Sequence, residues 1–79
     1  MTTDHQRRIV INPAIMAGKP TIAGTRIPVE LVVRLVAEGW TPNAIVVEYP
    51  PLTSQDVQAA LAYAAALVAS DEVYPLLTE

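Results

Sequence analysis

The sequence predicts a mainly α domain of three helices, of helix-turn-helix character, preceded by a short two-stranded β-arm. Three observations lead there. Two short β-branched runs, Arg8-Ile9-Val10-Ile11 and Thr21-Ile22-Ala23, come first and are closed by Asn12-Pro13 and Gly24. Three helix-start signals follow, at Pro28, at Thr41-Pro42 and at Thr53-Ser54-Gln55-Asp56. The second helix is short and a tight turn joins it to a longer third, which is the helix-turn-helix order.

Each element has its own local cause. Ala14-Ile15-Met16-Ala17-Gly18-Lys19-Pro20 connects the two runs and is closed by Gly and Pro. A ribbon this short is marginal alone in water, so it is expected to pair across a dimer or against the helices. Pro28 suits the first position of a helix, where a missing N–H costs nothing, and Gly39 suits the position just past its end. Within that helix Glu30, Arg34 and Glu38 form a polar stripe, while Val29, Val32, Val33 and Val36 make an apolar face widened by Leu31 and Leu35.

Thr41 and Pro42 supply an N-cap hydroxyl and an N1 proline for the second helix, which Tyr49-Pro50-Pro51 ends at about Glu48. The third start resembles a capping box with Asp in place of Glu. Its helix, Ser54 to about Ser70, carries Val57, Leu61, Ala64, Ala65 and Val68 at core spacing. Ala60, Tyr63 and Leu67 form a second apolar strip, so the helix is apolar nearly all round.

Length and composition narrow the class. At 79 residues there is room for one domain, and a chain this short buries only about 60–65% of its unfolded surface. The expected division is a flexible leader at 1–7, a single domain at 8–70 and an acidic tail at 71–79. The chain has no cysteine, and its one histidine, His5, lies in the leader, so neither a disulfide nor a structural zinc site is expected. Oligomerisation remains as the stabilising route. Hydrophobic residues make up 52% of the chain and mean hydropathy is +0.34. The longest apolar run, Ala59 to Ala69, is well short of a membrane span, and residues 1–8 lack a signal-peptide core. A cytoplasmic homodimer is therefore expected, with Leu31, Leu35, Tyr63 and Leu67 at its interface.

Charge is divided along the chain. Arg7, Arg8, Lys19, Arg26 and Arg34 all precede residue 35, against Asp4 and Glu30. From residue 35 onward there are six acidic residues and no basic one, and the overall charge is −3. An acidic partner should meet the N-terminal half.

Catalytic readings find little support. There is no Cys, and the single His sits in the leader, so a nucleophile–base pair is not expected. Glu30 and Glu38 resemble a carboxylate pair, but Arg34 between them makes a solvated ion ladder the simpler reading. Gly18-Lys19 lacks the spacing of a phosphate loop, and Pro20 removes an N–H there. The expectation is no enzyme, no cofactor, no metal and no small-molecule substrate. Nucleic acid is a second possibility, with Ser54, Gln55 and Gln58 as the base-reading residues. No Lys or Arg accompanies them, and phosphate neutralisation supplies most DNA affinity. DNA contact through Arg7, Arg8, Lys19 and Arg26 stays open.

Several segments together resemble a known family. Ile9-Val10-Ile11-Asn12-Pro13, Gly18-Lys19-Pro20-Thr21-Ile22, Gly24-Thr25-Arg26-Ile27-Pro28-Val29 and Gly39-Trp40-Thr41-Pro42 occur in its order. Tyr49-Pro50, Leu52-Thr53, Asp56-Val57 and Ala59-Ala60-Leu61-Ala62-Tyr63-Ala64 continue it. The chain resembles the domain of unknown function 433 family over about residues 8–68. That resemblance implies a homeodomain-like fold and a VapB-like antitoxin role beside a PIN-like ribonuclease toxin. Against such a partner the N-terminal basic residues Arg26, Lys19, Arg8 and Arg7 are the candidate binding residues, since the rest of the chain is acidic and a guanidinium fork suits a carboxylate-lined nuclease site. Lys19 and Arg26 have a plainer alternative, capping a turn or pairing with Glu30. Trp40 is expected as a core plug. A DNA-binding regulator acting alone and a dimeric scaffold without a toxin are the other readings. One departure is Ala17 before Gly18, where the family has Gly-Gly; the turn there is expected to differ slightly.

Overall fold

The computed structural model describes residues 8–71; the expected leader, with His5 and Arg7, and residues 72–79 of the expected tail lie outside the described residues. Two strands, β1 (Ile9–Val10) and β2 (Thr21–Ile22), are followed by three helices: α1 (Val29–Ala37), α2 (Pro42–Glu48) and α3 (Ser54–Asp71). The architecture is mainly α with a short N-terminal antiparallel ribbon, as the sequence predicts. β1 and β2 pair with each other, Ile9 opposite Ile22 and Val10 opposite Thr21. The ribbon is held on the helices: Ile22 is fully buried in the core and Ile9 packs against it.

The connector between the strands is a left-handed turn. Gly18 N–H donates to the Ile15 carbonyl at 3.0 Å and Lys19 N–H to that of Met16 at 3.1 Å. Met16, Ala17 and Gly18 all have positive φ, at 52°, 57° and 86°. Ala17, where the resembled pattern has glycine, itself takes the left-handed conformation (φ 57°, ψ 31°). Its Cβ then crowds the following carbonyl, a strain of roughly 1–2 kcal/mol that glycine avoids. Ala17→Gly is therefore expected to raise stability by about 0.5–1 kcal/mol, after the extra backbone entropy of glycine is deducted. An unchanged urea midpoint would show that the surrounding turn relieves the strain.

α1 begins one residue later than expected. Pro28 is its N-cap with an extended backbone (ψ 150°), because Pro28 also bridges Thr21 of β2 while Val29 N–H donates to the Pro20 carbonyl at 2.9 Å. Its end is a Schellman motif: Trp40 N–H reaches the Leu35 carbonyl at 3.0 Å, Gly39 N–H that of Val36 at 2.9 Å, and Gly39 has φ 102°. Trp40 is half-buried against the core, in the plug position expected of it. The inner face of α1 is Val29, Val32 and Leu35, all buried. Leu35, expected at a dimer interface, is thus a core residue: it stands three residues beyond Val32 and under the turn closed by Trp40. Leu31, Val33 and Val36 flank that face, half-buried.

Thr41 caps α2 as its position requires, its hydroxyl accepting from Ala44 N–H at 3.1 Å, with Pro42 behind it. α2 contributes one fully buried side chain, Ile45. Thr53 and Asp56 form the expected capping box: Thr53 Oγ1 accepts from Asp56 N–H at 3.2 Å and Asp56 Oδ2 from Thr53 N–H at 2.9 Å. The first two turns of α3 bury Asp56, Val57, Ala59 and Ala60. From Leu61 to Ala64 the helix is half-buried, and from Ala65 to Ala69 it is exposed. Ala65 and Val68, expected on the core side, are exposed: Ala65 falls on the side of the helix opposite Asp56 and Ala60, and Val68 lies beyond the buried turns.

Candidate partner-binding surface

The expected basic residues separate into three situations. Arg8, just before β1, donates through Nη1 to Asp56 Oδ1 at 2.9 Å, clipping the ribbon to the start of α3. Burial raises the Asp56 carboxyl pKa, but the Thr53 N–H, the Arg8 guanidinium and the Thr53 hydroxyl together outweigh it and hold the carboxyl below its ordinary value. A guanidinium committed to a buried carboxylate inside the chain is poorly placed to serve a partner. Lys19 lies on the loop before β2 and reaches Glu30 of α1, Nζ to Oε2, at 3.2 Å on an exposed surface. Glu30 also meets Arg34 one turn along, at 4.0 Å. The plainer alternative for Lys19, pairing with Glu30, is what the structure shows.

Arg26 differs. It is exposed, and no hydrogen bond or ion pair joins its side chain to another described residue. Its backbone is fixed from both sides. The Ile22 carbonyl accepts from Thr25 N–H at 3.0 Å and from the Thr25 hydroxyl at 2.8 Å, closing a turn in which Gly24 takes φ 78°. Thr25 Oγ1 in turn accepts from Ile27 N–H at 3.0 Å, and Ile22 N–H reaches the Ile27 carbonyl at 2.9 Å. A cation is thereby presented on a loop whose backbone is already ordered, so that docking has only its side chain to fix.

Between α1 and the second half of α3 lies an apolar groove of about 400 Å³. Pro20, Pro28, Val29 and Val33 form one wall and Tyr63, Ala64 and Leu67 the other, with Lys19, Glu30 and Arg34 at its edges. Of the residues expected at a dimer interface, Tyr63 and Leu67 come together here; Leu31 is half-buried against the core and Leu35 is inside it. Ser54, Gln55 and Gln58 are exposed on the first turns of α3, as base-reading residues would need to be. The only ion-paired cation near that end is Arg8, already engaged by Asp56 among the described residues.

The groove and the Arg8–Asp56 clip are what residue patterns did not reveal. A contact spanning 48 positions has no local signature. Among the described residues no three His, Cys, Asp or Glu side chains gather where a metal could sit, and no helix is long and apolar enough to cross a membrane.

Fold and surface define a small, mainly α domain with an N-terminal ribbon, a braced arginine loop and an apolar groove. The family model described as "Protein of unknown function (DUF433)" matches residues 9–64, and the chain belongs to that family. Among solved structures it is similar to a DUF433 member protein from Anabaena variabilis ATCC 29413, at 36% identity and TM-score 0.68. That match covers 73% of this chain and 57% of the other, so this chain spans little more than half of that protein. No curated protein matches the chain.

Proposed function

We propose that this chain is a non-catalytic protein-binding domain, the antitoxin of a toxin–antitoxin pair, which neutralises a PIN-like ribonuclease by setting Arg26 against its carboxylates. The observation that carries this reading is the contrast among the basic residues. Arg8, Lys19 and Arg34 have carboxylate partners within the chain, whereas Arg26 is presented outward on a loop braced by Thr25. A planar guanidinium carried on a braced backbone suits bidentate contact with a carboxylate. Two of the carboxylates fit a non-catalytic role as well. Asp56 is spent on a helix cap and an ion pair, and Glu30 on two cations. Regulation of DNA by the chain alone is less favoured, because no Lys or Arg follows Arg34 and the exposed start of α3 has only neutral polar side chains to offer a phosphate backbone.

The test is co-purification of the native protein from its host, followed by affinity measurement with any nuclease recovered. Arg26→Ala is expected to leave circular dichroism and melting unchanged while weakening the complex roughly thirty-fold, about 2 kcal/mol. Recovery of DNA fragments without a nuclease, or an Arg26→Ala variant that unfolds with no separable binding defect, would end the antitoxin reading.

A further inference from the structure

The turn that carries Arg26 also presents backbone donors that the chain does not use. From Ile22 to Val29 every N–H but two has an acceptor. Ile22 N–H reaches the Ile27 carbonyl at 2.9 Å, Ala23 N–H the Arg8 carbonyl at 2.7 Å and Thr25 N–H the Ile22 carbonyl at 3.0 Å. Ile27 N–H reaches Thr25 Oγ1 at 3.0 Å and Val29 N–H the Pro20 carbonyl at 2.9 Å, while Pro28 has no N–H to place. The Gly24 and Arg26 N–H groups meet no acceptor among the described residues, and both residues are exposed. A turn this fully bonded elsewhere leaves those two donors to water or to a ligand.

Backbone handedness and open space point to a ligand. Gly24 has φ 78°, whereas none of Ala23, Thr25 and Arg26 has a positive φ. Turn conformations of this kind aim successive N–H groups into a concavity suited to an anion. A Cβ built on Gly24 would meet nothing within 4 Å, so the space beside it is open to an incoming group. The same turn carries a cation that the other described residues leave unbalanced: Arg8 has Asp56, and Lys19 and Arg34 share Glu30. We infer that residues 24–26 form an oxyanion site for one carboxylate, to which the Gly24 and Arg26 N–H groups and the Arg26 guanidinium donate. A carboxylate offers about four lone-pair sites, which two amides and a guanidinium fork can fill. Its single charge is matched by the single unbalanced cation. A phosphate backbone is less suited, because its repeating charges call for several such cations. The site rests on the antitoxin reading for its occupant, an acidic side chain of the partner protein, and adds two backbone contacts to the one from Arg26.

Sodium acetate titrated into the ¹⁵N-labelled full chain, with ionic strength held by sodium chloride, tests the site without the partner. The Gly24 and Arg26 amide resonances should move saturably, half-way at roughly 0.1 M acetate. Those of Ala23, Thr25 and Ile27, whose N–H groups are already bonded, should move much less. Acetamide, of the same shape and no charge, should move none of them. Arg26→Ala, read at the Gly24 amide, should raise the half-saturating concentration about tenfold. Arg26→Lys keeps the charge but loses the fork, and should raise it about threefold. Shifts that stay linear in acetate, or that sodium chloride alone reproduces, would overturn the proposal whatever the variants do. So would saturation by inorganic phosphate with none by acetate, which would assign the turn to phosphate. The two readings fail separately. Saturable acetate binding beside a nuclease complex indifferent to Arg26→Ala would uphold the site and end the antitoxin reading, whereas a complex weakened by Arg26→Ala with the acetate response absent would end the site alone.

Discussion

Asp56→Ala is expected to destabilise the protein by about 3 kcal/mol, a large share of the roughly 4–12 kcal/mol available to a 79-residue domain. Two losses combine. The carboxylate accepts from Thr53 N–H at 2.9 Å in the capping box of α3, and removing such a cap costs about 1 kcal/mol. It also holds Arg8 at 2.9 Å, with the Asp56 side chain only 11% exposed and that of Arg8 32%. Breaking a buried pair from one side costs about 3–5 kcal/mol, and the partial exposure of Arg8 brings the figure here towards 2. Melting should fall by about 12–20 °C for a domain of this size. Asp56→Asn separates the contributions, because an amide oxygen still accepts from Thr53 but no longer balances the guanidinium. The carboxyl pKa is lowered in the folded state from an ordinary 3.8, so the pair's stabilisation is complete above 3.8 and fades as pH falls through the folded value. Wild type and Asp56→Asn should therefore differ at neutral pH and converge in acid. Equal melting at neutral pH would show that the charge contributes nothing.

Local chemistry was legible in the sequence wherever one segment carried the whole signal. Thr41-Pro42, Thr53 with Asp56 and Gly39 before Trp40 each announce a helix end, and α1, α2 and α3 begin or stop within a residue or two of them. What depends on two segments meeting was not legible. Periodicity put Leu35 on the edge of α1 and Val68 inward on α3, but the first is in the core and the second is exposed. The reason is that a helix's apolar pattern gives the faces available for burial, whereas the length and placement of its neighbours decide which are used. Burial on α3 ends at Ala60, although α1 still faces Tyr63, Ala64 and Leu67 across the groove. The candidate surface divides the same way. The isolation of Lys19 and Arg26 between glycines and prolines marked a braced basic region, yet only the folded chain separates Arg26 from a Lys19 already paired with Glu30.

Ile45→Ala is expected to have an effect of the same order, about 3–4 kcal/mol, and it tests whether the single buried residue of α2 secures that helix. α2 has seven residues and its mean burial is low: Ile45 is fully enclosed while Val47, two positions on, is 78% exposed. A helix this short is not stable through its own hydrogen bonds, because nucleation costs more than two turns return. Its place depends on the side chain it inserts, and Ile45 belongs to the same buried cluster as Val32, Leu52 and Val57 from α1, the α2–α3 turn and α3. Removing three carbons from that cluster leaves a cavity where three helices meet, and such truncations cost about 2–5 kcal/mol. Val47→Ala is the internal control. It removes apolar atoms from the same helix and swaps a β-branched residue for a better helix former, so it should change stability by less than about 0.5 kcal/mol. Denaturation in urea distinguishes the outcomes: Ile45→Ala should lower the midpoint sharply with an unchanged slope, while Val47→Ala leaves both in place. A small effect of Ile45→Ala would mean that α2 closes over the cavity without loss.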